Sequence, residues 1–312
     1  MKIRAIVLLA LFSTAAFAQR PITILVPIPP GGAPDIAARV LAAKLSENIG
    51  QPVVVENRAG ANGNIATDLV AKAAPDGHTL GLLADSQITI NPHLYKMPLD
   101  TLRDLTPVTP VAVNQFVLTV NPSLPVRSFA EFIAYARNAN PPLAYASGGN
   151  GSQHHLTMEM LKQRAGINLL HVPYKGGAPA ATATVAGETM AMWSGSSNAP
   201  QIKAGRLRPL AVSGGQRSAQ YPELPTIGEF YPGLENSIWL GLFGPANIPN
   251  ATLTKLRSEL KKVLESPDVK EKLNAAGGLD PYVASPEEFA ALIQRDYAKY
   301  AKVVKDIGIK LD

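Results

Sequence analysis

The fold is decided by the stretch Ile22-Thr23-Ile24-Leu25-Val26-Pro27-Ile28-Pro29-Pro30-Gly31-Gly32-Ala33-Pro34-Asp35. Its first five residues are mostly aliphatic and β-branched, and they predict a short strand. The proline and glycine residues that follow predict a loop. From Asp35 to Asn48 the apolar residues Ile36, Val40 and Leu45 lie near one face of a predicted helix. A strand, a glycine loop and a helix in this order begin a βαβ unit.

The same order of elements recurs along the chain. Strands are predicted at 53–55 and 79–84, and a helix opens after the loop 60–64 and runs through Ala73. From Phe116 the alternation starts again, with strands predicted at 116–120, 143–146, 169–172, 189–193 and 207–212, and helices after Ser128, at 151–165 and at 179–186. Strands separated by helices indicate a mostly parallel, doubly wound sheet in each half.

The last part of the chain has too few strands to form a third domain. It contains one predicted strand at 237–243, a helix starting at Asn250 and a helix with the capping box Ser285-Pro286-Glu287-Glu288. We expect it to return to the first half. The predicted organisation is therefore a first lobe of residues 19–120 plus 226–312 and a second lobe of residues 121–225, with a ligand cleft between them.

The amino terminus has the pattern of a secretory signal peptide. Lys2 and Arg4 precede the apolar run 5–12, and Ala16-Phe17-Ala18 fits the cleavage site. A membrane anchor is the alternative, but a span needs about 20 apolar residues. Cleavage after Ala18 would leave 294 residues of the 312 and lower the net charge from +5 to +3, so we expect an exported, soluble protein without a membrane anchor.

Composition excludes several classes of function. The chain is 46% hydrophobic and 17% charged, which suits a packed core, and it has no cysteine for disulfides or thiolate chemistry. The basic residues are scattered among acidic ones and no nucleic-acid motif accompanies them, so we expect no nucleic-acid partner.

Loops that follow predicted strands carry the candidate ligand site. In the first lobe the loop 27–35 offers glycine amides at the start of a helix, although Asp35 is as readily explained as the helix N-cap. A polar turn follows the third strand, and it could equally be an ordinary solvated loop. The candidate residues here are Pro29, Gly31, Gly32, Asp35, Asp85, Ser86 and Gln87.

The second lobe repeats the arrangement in the loop 147–155. Glycine loops in both lobes would direct amides into one cleft, which suits an anion such as a dicarboxylate. The plain alternatives are a generic glycine loop, packing or capping histidines, a solvated Lys175 and a core Trp193. The candidate residues here are Ser147, Gly149, Gly151, Ser152, His155, Tyr174, Lys175, Trp193 and Ser194.

Catalysis explains these residues less well. Ser152 lies near His155, but no G-x-S-x-G elbow is present. His154-His155 lacks the H-E-x-x-H spacing, and no nucleotide fingerprint occurs. We therefore predict a protein that is not an enzyme and that has no cofactor and no metal site, with a secreted hydrolase as the weaker alternative.

Several motifs taken in order resemble the tripartite tricarboxylate transporter substrate-binding proteins, the TctC-like or Bug family. They are the runs 29–39, 50–58, 63–65, 73–77 and 91–95 in the first lobe, and 149–156, 171–176 and 202–207 in the second. The resemblance covers nearly the whole mature chain. It implies an α/β, two-lobed periplasmic binding protein of the Venus-flytrap type, similar to type II, with a mixed, doubly wound sheet in each lobe.

The resemblance also implies a function. Such proteins deliver organic anions to a permease, and in the family the loops matching 27–35 and 147–155 clasp a carboxylate. Many relatives carry an aromatic residue followed by Asp and Asn where this chain has Trp193-Ser194-Gly195-Ser196. We therefore expect a small organic mono- or dicarboxylate, aromatic acids included, rather than an amino acid. The expected protein is a periplasmic monomer that serves the permease subunits. A periplasmic sensor for a membrane receptor shares the same site.

Overall fold

A computed structural model describes residues 20–218, 220–275 and 279–308. The strands are β1 Ile22–Val26, β2 Val53–Asn57, β3 Thr79–Ala84, β4 Leu105–Gln115, β5 Val117–Val120, β6 Leu143–Ser147, β7 Leu169–Pro173, β8 Ala191–Ser194, β9 Arg208–Val212, β10 Ser237–Pro245 and β11 Asp280–Pro281. The helices are α1 Ala33–Ile49, α2 Asn64–Ala71, α3 Asn91–Leu94, α4 Phe129–Asn138, α5 Gln153–Ala165, α6 Gly177–Ala186, α7 Ala199–Lys203, α8 Asn250–Glu265, α9 Pro267–Ala275 and α10 Pro286–Ile307. The predicted signal peptide lies outside the described residues.

The first sheet has six strands in the order β11-β4-β10-β3-β1-β2. Strand β1 lies between β3 and β2 and runs parallel to both. The long strand β10, which follows the second lobe in the chain, inserts antiparallel between β3 and β4. The sheet is therefore mixed. Because β1, β2 and β3 are parallel, the loops that follow them open at one edge of the sheet.

The second sheet has five strands in the order β7-β6-β8-β5-β9. Strand β6 is parallel to β7 and β8, and β5 is antiparallel to β8 and β9. The predicted boundary after residue 120 places β5 with the first lobe, whereas β5 pairs with β8 and β9 of the second sheet. Phe116 alone separates β4 from β5, so the chain changes sheets at this residue.

The two places where the chain crosses between lobes are tied together by one serine. Backbone hydrogen bonds join Ser213 N to Phe116 O at 2.8 Å and Asn236 N to Ser213 O at 2.7 Å. The Ser213 hydroxyl also accepts from Phe116 N at 2.9 Å and donates to Asn236 O at 2.7 Å. All three residues are buried. Ser213 therefore satisfies the backbone of both crossing segments.

Helix α10 packs against both lobes. Near its start, Phe289 and Ile293 pack with Trp239 and Phe243 of the first lobe. Further on, Tyr300 and Val304 lie in an apolar cluster together with Ile90 and Leu94 of the first lobe and Leu156 of the second. The C-terminal helix therefore joins the two lobes. Among the helices that the structure describes, none is both long enough and apolar enough to span a membrane.

We expect Ser213→Ala to lower the free energy of unfolding by about 1–3 kcal/mol, because the buried N–H of Phe116 and the carbonyl of Asn236 lose their partner. Urea denaturation followed by circular dichroism measures this change. The exposed Ser258 of α8 provides the control, and its replacement by alanine should change stability by less than about 0.5 kcal/mol. Equal losses in the two variants would show that Ser213 does not tie the crossing segments.

Candidate functional site

The loop between β1 and α1 is held by the carboxylate of Asp35. Its oxygens accept hydrogen bonds from Gly31 N at 2.9 Å, from Asn57 Nδ2 at 2.9 Å and from two nitrogens of Arg39 at 2.9 and 3.1 Å. Burial opposes its ionisation, but the hydrogen bonds from Arg39, Gly31 and Asn57 outweigh burial and lower the pKa of Asp35. The side chain is almost fully buried and its hydrogen bonds lie within the first lobe.

Asp35 is the third residue of α1, so the alternative that it caps the helix is wrong. The N-cap is Gly32, and no side chain caps this end. The first amides of α1 are therefore free of a side-chain acceptor, as an anion site requires. Gly31 has φ +93°, and a Cβ added there would meet no atom within 4 Å. The exposed Pro29 and Gly31 thus line open space beside the helix N-terminus, whereas a Cβ added to Gly32 would clash with the side chain of Ile28.

The turn after β3 is buried and well ordered by hydrogen bonds, in contrast to a solvated loop. Asp85 has no exposed surface, and it accepts from Ser86 N at 2.8 Å. The side chain of Gln87 accepts from Ala84 N at 2.9 Å and donates to Asn62 O at 3.1 Å. Gln87 therefore connects this turn to the loop after β2.

A group of buried polar residues, which we call the interlobe polar cluster, joins the two lobes. Its members are Asp85 of the first lobe, Gln153 and Thr157 on α5 of the second, Asn236 of the crossing segment and Tyr300 on α10. Gln153 Nε2 donates to Asp85, and Asn236 Nδ2 donates to Gln153 Oε1 at 2.9 Å and to Thr157 Oγ1 at 2.8 Å. Tyr300 donates to Asn236 Oδ1 at 2.7 Å. The cluster fixes the turn after β3 against the start of α5.

The loop between β6 and α5 is held by hydrogen bonds to its own side chains and to one histidine of β7. Gly149 N donates to Ser147 Oγ at 3.1 Å, and this hydroxyl lies 2.6 Å from His171 Nε2. Gly151 N donates to His155 Nδ1 at 3.0 Å. Ser152 caps α5, since its hydroxyl accepts from His155 N at 3.3 Å.

The imidazole rings of His155 and His171 stack with their centroids 3.8 Å apart and their planes at 8°. The ring of Tyr145 stacks on His171 at 4.9 Å. Burial lowers the pKa of His155, and burial together with His155 lowers the pKa of His171 to about 4. Both rings are therefore neutral near pH 7, and His155 can accept from Gly151. Both histidines therefore hold the loop in place. For His155 this agrees with the alternative of a packing or capping role.

The remaining candidates of the second lobe differ in position. Tyr174 N donates to Ser147 O at 3.0 Å, while Lys175 is exposed. Trp193 has no exposed surface and lies in the core of this lobe, and its indole Nε1 has no hydrogen-bond partner among the described residues. Ser194 is buried and its hydroxyl lies 2.7 Å from that of Thr119. A core position for Trp193 agrees with the alternative stated above.

Tyr95 and the loop after β2 were not among the predicted site residues. The Tyr95 hydroxyl donates to Asn150 O at 3.3 Å, and this bond runs from the first lobe to the glycine loop of the second. Residues 60–63 all have positive φ, including the non-glycine Ala61 at 47° and Asn62 at 53°. The Gly/Asn composition of the loop was a usable signal for this backbone, because these residues adopt it most readily. Nothing local in the sequence indicates the contact of Tyr95.

Within residues 20–218, 220–275 and 279–308 there is no group of three or more His, Asp or Glu side chains placed to hold a metal ion. The carboxyl groups of Asp35 and Asp85 are bonded to protein groups, whereas Lys175 is exposed. What the loops offer to a ligand is oriented backbone amides and open space beside Gly31.

A sequence model described as the tripartite tricarboxylate transporter family receptor, TctC, matches residues 37–309. The chain belongs to this family. It is 37% identical over 307 residues to Protein BugT of Bordetella pertussis, and the match covers 96% of this chain and 93% of BugT. The TctC family and the solved structures like this chain are solute-binding proteins and not enzymes, which confirms that prediction.

Solved structures confirm the two-lobed α/β fold of this TctC-family protein. Rpa4515 of R. palustris, solved with adipate, superposes with a TM-score of 0.86 at 34% identity and covers 95% of this chain and all of that one. MatC of Rhodopseudomonas palustris, solved with bound malate, has a TM-score of 0.80 at 28% identity and covers 92% of this chain and all of that one.

Replacement of Asp85 by asparagine should change how stability depends on pH. Burial, and then the nearby Asp296, raise the pKa of Asp85 well above its ordinary value of 3.8. A raised pKa in the folded state means that the contribution of Asp85 to stability is fully present below the unfolded pKa and is lost as pH rises through the folded pKa. From about pH 4 upward, the unfolding free energy of the unaltered protein should therefore fall relative to that of Asp85→Asn.

Urea denaturation at a series of pH values measures this difference. Asp76→Asn is the control with the opposite sign, because a hydrogen bond from His78 N, and then one from Arg20, lower the pKa of Asp76. For this pair, the unfolding free energy of the unaltered protein should rise relative to that of Asp76→Asn as pH rises. Parallel pH profiles for Asp85→Asn and the unaltered protein would contradict the burial of a titrating carboxyl at the interlobe polar cluster.

Proposed function

We propose that this TctC-family protein captures a small organic carboxylate between its lobes and delivers it to the membrane permease of a tripartite tricarboxylate transporter. The observation that carries the proposal is the position of the loop 147–152 of the second lobe. Tyr95 contacts it at Asn150, and Asp85 contacts the first residue of α5 directly after it. The loop therefore lies against the edge of the first sheet where the loop 27–35 also begins.

The chemistry of these loops suits a carboxylate. The N-cap residues of helices α1 and α6 are glycines, Gly32 and Gly176, which have no side chain to cap the helix. Their first N–H groups and the positive ends of their dipoles favour an anion. Backbone amides can bind a carboxylate without a cationic side chain, and hydrogen bonds to a charged group contribute about 1.5–3 kcal/mol each. The sixteen predicted site residues remain a proposal on this basis.

The ligand that we propose is a mono- or dicarboxylate rather than an amino acid. An ammonium group would need an acidic partner, but Asp35 is bonded to Arg39 and Asp85 is buried in the interlobe polar cluster. The relatives solved with adipate and with malate hold acids of this class. Export to the periplasm through the predicted signal peptide, and action as a monomer, belong to the same proposal.

Native mass spectrometry of freshly purified protein tests the capture of a carboxylate, since a closed cleft can retain its ligand through purification. Isothermal titration calorimetry with acetate, malate, adipate and benzoate then measures affinity, and aspartate and glutamate serve as amino-acid comparisons. We expect at least one acid to bind and to be recovered unchanged. Tight binding of amino acids alone would overturn the proposed ligand class, and conversion of the acid would favour the hydrolase alternative.

Uptake into cells separates delivery from sensing. Spheroplasts that carry the permease but lack this protein should accumulate the radiolabelled acid only when the purified protein is added. A receptor-linked transcriptional response without any effect on uptake would favour the periplasmic sensor.

Gly31→Ala should weaken binding of the acid at least about tenfold, which corresponds to 1.4 kcal/mol, because the added methyl group occupies the space beside the amides of α1. Gly233→Ala is a matched control. Gly233 has φ +86°, and a Cβ added there also meets nothing within 4 Å, so both variants carry similar backbone strain. Calorimetry should show weaker binding for Gly31→Ala alone, and equal affinities for the two variants would exclude the loop 27–35 from the site.

A further inference from the structure

His154 lies between the two glycine loops of the second lobe. It is the second residue of α5, directly after the loop 147–152. A Cβ added to Gly148 would lie 3.0 Å from its Nδ1, and one added to Gly177 would lie 3.4 Å from its Nε2. The ring therefore occupies the space that the absence of these two side chains leaves open. It is half-buried, so part of it remains accessible.

The ring of His154 also packs against Phe116, the residue at which the chain crosses between the lobes. Its centroid lies 4.4 Å from that of Phe116, with the planes at 33°. Phe116 is the residue between β4 and β5, and a Cβ added to Gly195 would lie 3.8 Å from its ring. An aromatic ring and glycine residues thus surround the imidazole.

The hydrogen bonding of His154 differs from that of the other histidines. His78 bonds Pro21 O, His93 bonds Tyr297 O, His155 bonds Gly151 N and His171 bonds the hydroxyl of Ser147. Neither ring nitrogen of His154 has a partner among the described residues. Its donor and its acceptor nitrogen are therefore not used by the described part of the protein, and they are available to water or to a bound molecule.

Burial also determines the charge of this ring. It lowers the pKa of His154 to about 4, so the imidazole is neutral near pH 7. A neutral imidazole has one N–H donor and one acceptor nitrogen. It can therefore donate to a carboxylate oxygen, or accept from a hydroxyl group, without adding positive charge to the site.

We propose that His154 contacts the bound acid through an imidazole nitrogen and is a specificity-determining residue of the cleft. The inference rests on the proposed capture of a carboxylate and adds the side chain that recognises it. The glycine amides stabilise the charge of the acid by hydrogen bonds, and His154 adds a directional hydrogen bond of its own. Phe116 beside it offers an apolar contact to the body of the acid.

His154→Phe tests the contact, because it removes both nitrogens and keeps an aromatic ring against Phe116. His93→Phe is the matched control. His93 is also half-buried, and its ring centroid lies 4.4 Å from that of Tyr297, but it has a protein partner in Tyr297 O. Calorimetry with acetate, malate, adipate and benzoate should show affinity at least about tenfold lower for His154→Phe and unchanged for His93→Phe.

Thermal denaturation without ligand separates this contact from a structural role. His154→Phe loses no protein hydrogen bond, so its melting temperature should equal or exceed that of the unaltered protein, whereas His93→Phe should melt lower. Nitrogen-15 NMR of the imidazole rings gives a test without substitution, in which the acid that binds should shift the resonances of His154 and not those of His93.

The outcomes distinguish this inference from the function on which it rests. Equal affinity of His154→Phe and the unaltered protein, or unshifted resonances of His154 on binding, would overturn the inference and leave carboxylate capture standing. Failure of all four acids to bind the unaltered protein would overturn carboxylate capture and this inference with it.

Discussion

The hydrogen bond from Gln153 to Asp85 determines how the two lobes meet. Asp85 is fully buried, and a buried carboxyl group is costly unless it has hydrogen-bond partners. One of its oxygens is satisfied by the adjacent Ser86 N, and the other by a side chain of the opposite lobe. Gln153 is held in turn by Asn236, which Tyr300 also contacts. The position of the second lobe, the crossing segment and the C-terminal helix are thus linked through one set of buried polar groups.

The same physical constraint shapes the loops of the candidate site. In the first lobe, the carboxylate of Asp35 accepts hydrogen bonds from Gly31, Arg39 and Asn57. In the second lobe, the neutral ring of His155 accepts a hydrogen bond from Gly151 N, and the neutral ring of His171 is hydrogen-bonded to the hydroxyl of Ser147. The polar side chains therefore position the glycine backbone. In the proposed function, the amides that these buried contacts hold in place bind the charge of the anion, and they need no counter-charge of their own.

The structural roles of these side chains also explain why the serine and histidine residues of the candidate site do not form a catalytic arrangement. Ser147 and His171 are 2.6 Å apart, as a nucleophile and its base would be. However, Ser147 has no exposed surface, and its hydroxyl is bonded to the loop at Gly149. Ser152, which suggested a hydrolase by its spacing from His155, caps α5. The fold employs serine and histidine as structural acceptors, in agreement with a family of solute-binding proteins.

Local patterns in the sequence determined much of the fold. The third strand has the predicted bounds, Thr79–Ala84, and the capping box at Ser285 is present. Local patterns predict these elements because strand period, helix period and capping depend on residues only a few positions apart. The glycine loops at strand ends, on which the proposed anion site rests, were predictable for the same reason. The tertiary structure alone decided that β10 inserts between β3 and β4, that Asp85 meets a residue 68 positions away and that Trp193 lies in the core. These depend on burial and on hydrogen bonds between distant segments, which no short stretch of sequence encodes.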